Sequence, residues 1–154
     1  MKAAVLTIST SLARGEGEDK SGAQLLELCE QAGLDTTHEL LPDDRAAIAA
    51  ALIRLADEQG VRFVFTTGGT GFTPDDVTPE ATRDAIDREA PGYAEAIRHD
   101  GRPYTPLSLL TRGISGIRGR TLIVNFPGSP KSIGQCWPAL EPTLKHAAET
   151  LERA

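Results

Sequence analysis

Apolar residues follow two rhythms along this chain. Val5, Leu6 and Ile8 form an almost continuous run between Met1 and Ser9, as a strand buried on both faces requires. From Ser21 the pattern changes: Leu25, Leu28, Cys29 and Ala32 recur at helical spacing until Gly33 closes the element. Thr36 to Leu41 reads as a second strand, and Pro42-Asp43-Asp44 starts a helix whose Ile48, Leu52 and Leu55 share one face before Gly60. Val61, Phe63, Val64 and Phe65 make a β-branched and aromatic run with Gly68 just beyond Thr66, a third buried strand. Strand, helix, strand, helix, strand predicts right-handed crossovers and a mainly parallel sheet.

Beyond the glycines, Thr78-Pro79-Glu80 places proline at the first position of a helix, and Pro91 marks a second start ahead of the segment Gly92 to Ile97. Thr105-Pro106 opens another. Ile114 to Ile117 and Thr121 to Val124 flank Arg118-Gly119-Arg120, a hairpin that feeds the last buried strand. Pro138 and Pro142 should then divide the terminal helical region into two pieces. The expected fold is α/β: a three-layer α/β/α sandwich with a mainly parallel central sheet and a small β-hairpin, built as one domain over residues 1–154.

Composition adds exclusions. With 154 residues, 40% hydrophobic and 25% charged, the chain suits one ordinary core. Its formal charge of −6 comes from interspersed residues, which excludes nucleic acid as an expected partner. No apolar run approaches the roughly 20 residues of a membrane span, and no leader pattern precedes the first strand. Two cysteines, Cys29 and Cys136, make neither a disulfide framework nor a zinc site. Cys29 should be packed and inert, and the cytoplasm is the expected location. An anionic ligand can bind such a chain only where backbone N–H groups, a few basic side chains or a metal ion reverse the local field.

In open parallel sheets that place is outside the carboxyl ends of the strands, which nominates four loops: Thr10 to Lys20, Pro42-Asp43-Asp44, Gly68 to Asp76 and Asn125 to Lys131. Gly68, Gly69 and Gly71 lack Cβ atoms, so their amides can approach a phosphate, with the Thr70 hydroxyl beside them. The same spacing also fits a plain strand-to-helix turn. Asp75, Asp76 and Thr78 follow, and a carboxylate beside a phosphate implies Mg²⁺ between them; as turn or helix-start residues they would need no ligand. Asp43 fits a helix N-cap. Pro127-Gly128-Ser129-Pro130-Lys131 puts a glycine, a hydroxyl and a lysine at a helix start, suited either to an anion or simply to proline initiation. The segment Gly15 to Ser21 lacks the glycine before the lysine that a P-loop needs. His38, His99 and His146 show no ligand pairing, and Trp137 reads as a packing residue.

Taken together, Asp19-Lys20-Ser21-Gly22, Pro42-Asp43-Asp44, Thr66-Thr67-Gly68-Gly69-Thr70-Gly71, Asp76-Val77-Thr78-Pro79-Glu80-Ala81 and Asn125-Phe126-Pro127-Gly128-Ser129-Pro130-Lys131 closely resemble the MoaB/Mog family of molybdenum cofactor biosynthesis proteins, over nearly the whole chain. The resemblance implies a molybdopterin-binding fold, a homotrimer, partners among other molybdenum cofactor biosynthesis proteins, and adenylyl transfer from Mg·ATP to the terminal phosphate of molybdopterin with release of pyrophosphate. Asp43 and Asp76 match the family's two acidic positions, expected as catalytic and Mg²⁺-holding residues. Gly68, Gly69, Thr70 and Gly71 match the loop lining its pocket. Lys20, Ser21, Thr78, Pro127, Gly128, Ser129 and Lys131 complete the expected substrate and nucleotide contacts. Two positions depart from the pattern: Thr10, where many relatives carry an acidic residue, and Phe72, bulkier than the usual proline or leucine. A binding protein of the same fold without turnover is the alternative reading; related domains of molybdate insertion or pyridine-nucleotide salvage belong to chains with further domains.

Overall fold

A computed structural model describes every residue from Met1 to Ala154. Its elements run β1 (Lys2–Ile8), α1 (Thr10–Ala13), α2 (Lys20–Gln31), β2 (Asp35–Leu41), α3 (Arg45–Asp57), β3 (Phe63–Thr67), α4 (Thr78–Ala85), β4 (Arg88–Glu89) and α5 (Gly92–Gly101). A 3₁₀ segment (Pro106–Leu110) follows, then β5 (Ser115–Arg118), β6 (Thr121–Phe126), α6 (Pro130–Leu140), a short 3₁₀ turn and α7 (Leu144–Leu151).

The six strands form one sheet in the order β2-β1-β3-β6-β5-β4. The first four run parallel; β5 and β4 are antiparallel additions at one edge. Alternation along each central strand feeds two cores. Ala3, Val5, Phe63, Phe65, Leu122, Val124 and Phe126 face the layer carrying α2, α6 and α7, while Ala4, Leu6, Ile8, Val64 and Ile123 face α3 and α4. Phe65 meets Trp137 and Phe126 edge to face at centroid distances of 5.5 and 5.8 Å, so Trp137 is indeed a packing residue. The three-layer sandwich and its hairpin are as the hydrophobic pattern predicts. No helix is long and apolar enough to cross a membrane.

Four local expectations are corrected. Asp43 is not the N-cap of α3; Asp44 is, its Oδ1 accepting from the Ala47 amide at 2.9 Å. The cap therefore falls one residue later and leaves the Asp43 carboxylate for other partners. Pro138 does not break α6, which runs through it. The residue four positions earlier is the exposed Gly134, on the solvent side of the helix, and buried Trp137 and Leu140 hold the helix on either side of the proline. The break comes at Pro142 instead, in the 3₁₀ turn. The first-strand loop also contains the helical turn α1, capped by Ser9 Oγ, and the sheet has an unexpected edge strand, β4.

Register determines where chemistry can gather. Ile8 pairs with Leu41, Thr7 with Thr67 and Thr67 with Phe126, so β1, β2, β3 and β6 end at one level. The chain passes from β1 to β2 on one side of it and then crosses back from β2 to β3 on the other. That switch point opens a crevice at the carboxyl edge.

Candidate functional site

The loop after β3 is shaped by what holds its back. Gly68 and Gly69 have φ of +94° and +68°, and a Cβ on Gly68 would strike the Ile8 carbonyl oxygen, while one on Gly69 would strike Thr78 Oγ1. Only glycine fits both places. Each carbonyl from Gly68 to Gly71 is bonded from behind. Thr78 Oγ1 donates to Gly68 O at 3.0 Å and the Thr78 amide to Gly69 O at 3.1 Å. The Arg112 amide donates to Thr70 O and its Nε to Gly71 O, both at 2.8 Å. On the amide side only Gly68 is spent, on Phe126 O at 3.3 Å. The N–H groups of Gly69, Thr70 and Gly71 have no partner in the protein, and consecutive unpaired amides of this kind are able to receive an anion as a nest does.

The two acidic residues flank this loop. Asp76 lies against Gly71, its Oδ2 2.8 Å from where a Cβ there would sit. The same Oδ2 accepts from the Thr73 amide at 2.9 Å and Thr73 Oγ1 at 2.8 Å. Asp43 reaches Gly69 from the other side, with Oδ1 3.2 Å from the corresponding Cβ position. Its Oδ2 accepts from the Thr10 amide at 3.1 Å and Thr10 Oγ1 at 2.8 Å, while the Asp43 amide donates back to Thr10 Oγ1 at 3.0 Å. Each carboxylate thus has one oxygen fixed by the protein and one, Oδ1, without a hydrogen bond.

That donor set suits Mg²⁺ of a particular kind. No group of three His, Cys, Asp or Glu side chains converges anywhere in the chain, so an all-protein cage is absent. One or two carboxylates together with phosphate oxygens and water are nevertheless the usual environment of Mg²⁺ beside a nucleotide, and two free Oδ1 atoms bordering an amide nest fit it.

Two adjoining cavities open above the loop. One, about 340 Å³, is walled by Gly68–Gly71, Asp76 and Gly128. The other, about 440 Å³, is walled by Ser129, Lys131, Gln135, Tyr104 and Ser108 among others. They share Leu107, Thr111 and Pro127, which makes one cleft of two compartments. The loop after β6 closes it from the side: Thr67 Oγ1 donates to Pro127 O at 2.9 Å, and a Cβ on Gly128 would lie 3.4 Å from Gly68 Cα. Ser129 caps α6 through the Ser132 amide at 3.4 Å.

Of the residues expected from sequence, Gly68, Gly69, Thr70, Gly71, Asp76, Pro127, Gly128, Ser129 and Lys131 thus come together in the cleft walls. Asp43 borders the loop outside those walls. Thr78 is fully buried and its hydroxyl is spent on Gly68 O, so it braces the loop rather than facing the cleft. Lys20 and Ser21 begin α2, behind the N-cap Asp19, and line neither compartment. Phe72 is 69% exposed and also lies outside the walls. Cys29 is buried, and desolvation pushes its thiol up to about 12, as an inert packing residue requires.

Several residues around the cleft escaped the sequence, Tyr104, Leu107, Ser108 and Gln135 in its walls among them, and two bear directly on the loop. Thr111 lines both compartments and donates to Thr70 Oγ1 at 3.1 Å. Arg112 forms a forked pair with Glu80 at 2.9 and 3.0 Å and also donates to Asp76 O at 2.7 Å. Its guanidinium holds the Glu80 carboxyl below the ordinary carboxylate range. Neither lies in a periodic pattern; the only signal was an isolated arginine between two turn segments.

The geometry is matched by kinship. A family profile described as "Probable molybdopterin binding domain" matches residues 4–146. The molybdopterin adenylyltransferase of Helicobacter pylori J99 is 36% identical over 150 residues, 96% of this chain and 85% of that protein. The one from Escherichia coli K12 is 39% identical over 137 residues, 86% and 70% of the respective chains. The crystal structure of the molybdopterin biosynthesis enzyme MoaB from Thermus thermophilus superposes with a TM-score of 0.91 at 40% identity, covering 99% of this chain and 97% of that one. With the glycine nest, its flanking carboxylates and these relatives in agreement, the chain belongs to the MoaB/Mog family of molybdopterin-binding domains.

Proposed function

We propose that this chain, working as one domain over residues 1–154, is a molybdopterin adenylyltransferase that moves AMP from ATP to the terminal phosphate of molybdopterin. The carrying observation is the loop Gly68–Gly71, whose carbonyls are all bonded from behind and whose amides at Gly69, Thr70 and Gly71 are unpaired between Asp43 and Asp76. The relatives named molybdopterin adenylyltransferase support the choice of reaction.

The chemistry needs little beyond such a site. An anionic phosphate oxygen of molybdopterin attacks the α-phosphorus of ATP, a phosphoanhydride bond forms, the bond to the bridging oxygen breaks, and pyrophosphate leaves. The nucleophile is already ionised, so no general base is required, and catalysis rests on placement and charge neutralisation. Asp76 and Asp43 would hold Mg²⁺ through their unpartnered Oδ1 atoms, and the bound ion would supply that neutralisation. The unpaired amides of Gly69–Gly71 hold phosphate oxygens, and the Thr70 hydroxyl stands beside them. Lys131 and Ser129, in the 440 Å³ compartment, hold the second reactant; Lys20 and Ser21 would join only if α2's first turn approached a bound ligand. Two compartments sharing Thr111 and Pro127 give each reactant its own space with the reacting phosphates at their junction. A homotrimer, a cytoplasmic location and contacts with other molybdenum cofactor biosynthesis proteins belong to the same proposal.

Pyrophosphate release is measured with ATP, Mg²⁺ and molybdopterin. Wild-type protein should turn over and Asp76→Asn should lose activity by a factor of about 10² or more, with an unchanged melting temperature. A fully active Asp76→Asn variant would overturn the assignment, and molybdopterin binding without pyrophosphate release would leave a binding protein instead.

A further inference from the structure

Arg112 is the one basic side chain that touches the nucleotide loop, and it does so from the side away from the cleft. Its backbone amide bonds Thr70 O, its Nε bonds Gly71 O, and its Nη2 bonds Asp76 O. Three carbonyls of one loop are therefore tied to one residue. The remaining contacts go to Glu80, which takes Nη1 and Nη2 in a fork and answers the positive charge. Glu80 stands in the first turn of α4, so the guanidinium joins the end of the loop to the helix that follows.

This arrangement separates Arg112 from an arginine that binds anions. Four of its five side-chain N–H groups are already used. It also lines neither compartment of the cleft. What its bonds fix is direction. A peptide whose carbonyl is drawn backward presents the next amide forward: the Arg112 backbone amide does this for Gly71 through Thr70 O, and its guanidinium does it for Phe72 through Gly71 O. The tie at Asp76 O fixes the backbone from which the Asp76 carboxylate projects, while Thr73 fixes its Oδ2 and leaves Oδ1 without a protein partner.

We propose that Arg112 is a positioning residue: its guanidinium is a clamp behind the loop that holds the Gly71 carbonyl and the Asp76 backbone, and with it the Asp76 carboxylate, without touching substrate. Its kinetic consequence rests on the adenylyl transfer proposed above; its structural consequence does not. Lysine cannot replace it, because a single ammonium cannot reach Gly71 O, Asp76 O and both Glu80 oxygens at once.

Two readouts test this on the full chain, with Arg112→Lys and Arg112→Gln. The first is residue-resolved hydrogen exchange in ligand-free protein. The amides of Thr73, Asp76 and Thr78 are bonded within the loop, and each should exchange at least about tenfold faster in both variants, while amides of β1, β3 and β6 keep wild-type rates. The second is steady-state pyrophosphate release. Here kcat should fall about 10²-fold, the loss expected of a displacement near 1 Å, with KM for molybdopterin and ATP within about threefold. Free guanidinium added to Arg112→Ala should restore part of kcat.

Wild-type exchange at those three amides in Arg112→Lys would overturn the clamp. So would a rise in KM with kcat unchanged, which marks a ligand contact, or loss of cooperative melting in both Lys and Gln variants, which assigns the residue to the fold alone. If wild-type protein releases no pyrophosphate, the adenylyl transfer reading has failed, and the exchange rates alone decide the role of Arg112.

Discussion

Replacing Gly69 by alanine tests the loop architecture most directly. The residue sits at φ +68°, and the added Cβ would collide with Thr78 Oγ1 while approaching Asp43 Oδ1 and Ile8 Cγ2 at 3.2 and 3.3 Å. The backbone alone costs about 1–2 kcal/mol for an L-residue held in the left-handed region. The collision adds a second cost: Thr78 must rotate away, abandoning Gly68 O, and a buried carbonyl left without its donor costs about 1–3 kcal/mol. Gly69→Ala should therefore lose about 2–5 kcal/mol, a fall in melting temperature on the order of 5–20 °C for a chain of this size. The two contributions separate in a double-mutant cycle. In a Thr78→Ala background the hydroxyl is gone, and Gly69→Ala should cost only its backbone share, giving a coupling of about 1–3 kcal/mol. Chemical denaturation of the four proteins measures it. Strict additivity would refute the contact, because Thr78 Oγ1 would then not stand where an alanine methyl must go.

Other perturbations probe neighbouring links. Asp44→Ala removes the α3 cap and should cost about 1 kcal/mol by denaturation without changing pyrophosphate release, since Asp44 lies outside the cleft. Thr10→Val removes the hydroxyl that donates to Asp43 and accepts from its amide; kcat should fall more than stability does, and an unchanged kcat would detach Asp43 from the reaction. For Glu80, the carboxyl is held below its ordinary value of 4.5 by Arg112, so its stabilising share is full above that pH and lost as pH falls through the lowered value. The stability gap between wild type and Glu80→Gln should therefore stay constant from pH 7 to about 5 and close only in stronger acid; the pair is about one-third exposed, so the gap itself should be modest. Both cysteine thiols are pushed up to about 12 by burial, and iodoacetamide at neutral pH should leave Cys29 and Cys136 unmodified in native protein by mass spectrometry.

Strands and helices with strong periodicity were readable in advance because burial on both faces forces a continuous apolar run. Val5, Leu6 and Ile8 or Phe63 to Phe65 have no other economical explanation, and parallel order followed from the alternation with helices. Short elements carried no such mark. β4 is two exposed residues, Arg88 and Glu89, whose one strand partner is β5, and α1 is a single turn. The cap of α3 slipped by one because Asp43 and Asp44 are chemically equivalent at that point; what decides between them is Thr10, 33 positions away in sequence, which no local pattern reports. Pro138 misled for a similar reason, since tolerance of a proline depends on where the freed carbonyl points. Thr78 was legible as a residue of the site but not as to its side: spacing places it beside the glycines, whereas only packing shows that it faces their backs.

The charge of the chain poses the remaining question, because a net −6 is an unpromising background for two phosphate-bearing reactants. Basic side chains do not resolve it: Lys131 is the only lysine or arginine in the cleft walls, and Arg112 is neutralised by Glu80. In the proposed site the reversal of field would come from peptide dipoles instead. Turning a carbonyl to the back of the loop exposes the following N–H at the front, and Thr78 and Arg112 do this for every carbonyl from Gly68 to Gly71. Fixed dipoles need little reorganisation when charge shifts during phosphoryl transfer, whereas flexible lysines would have to be ordered first. They also tolerate carboxylates nearby, since in the proposed reaction Asp43 and Asp76 would attract a divalent cation that mobile ammonium groups would compete with. On the proposed reading, an acidic protein would hold anions here because its acids and its backbone would act on the same ligand through different partners, the acids through the cation and the backbone directly.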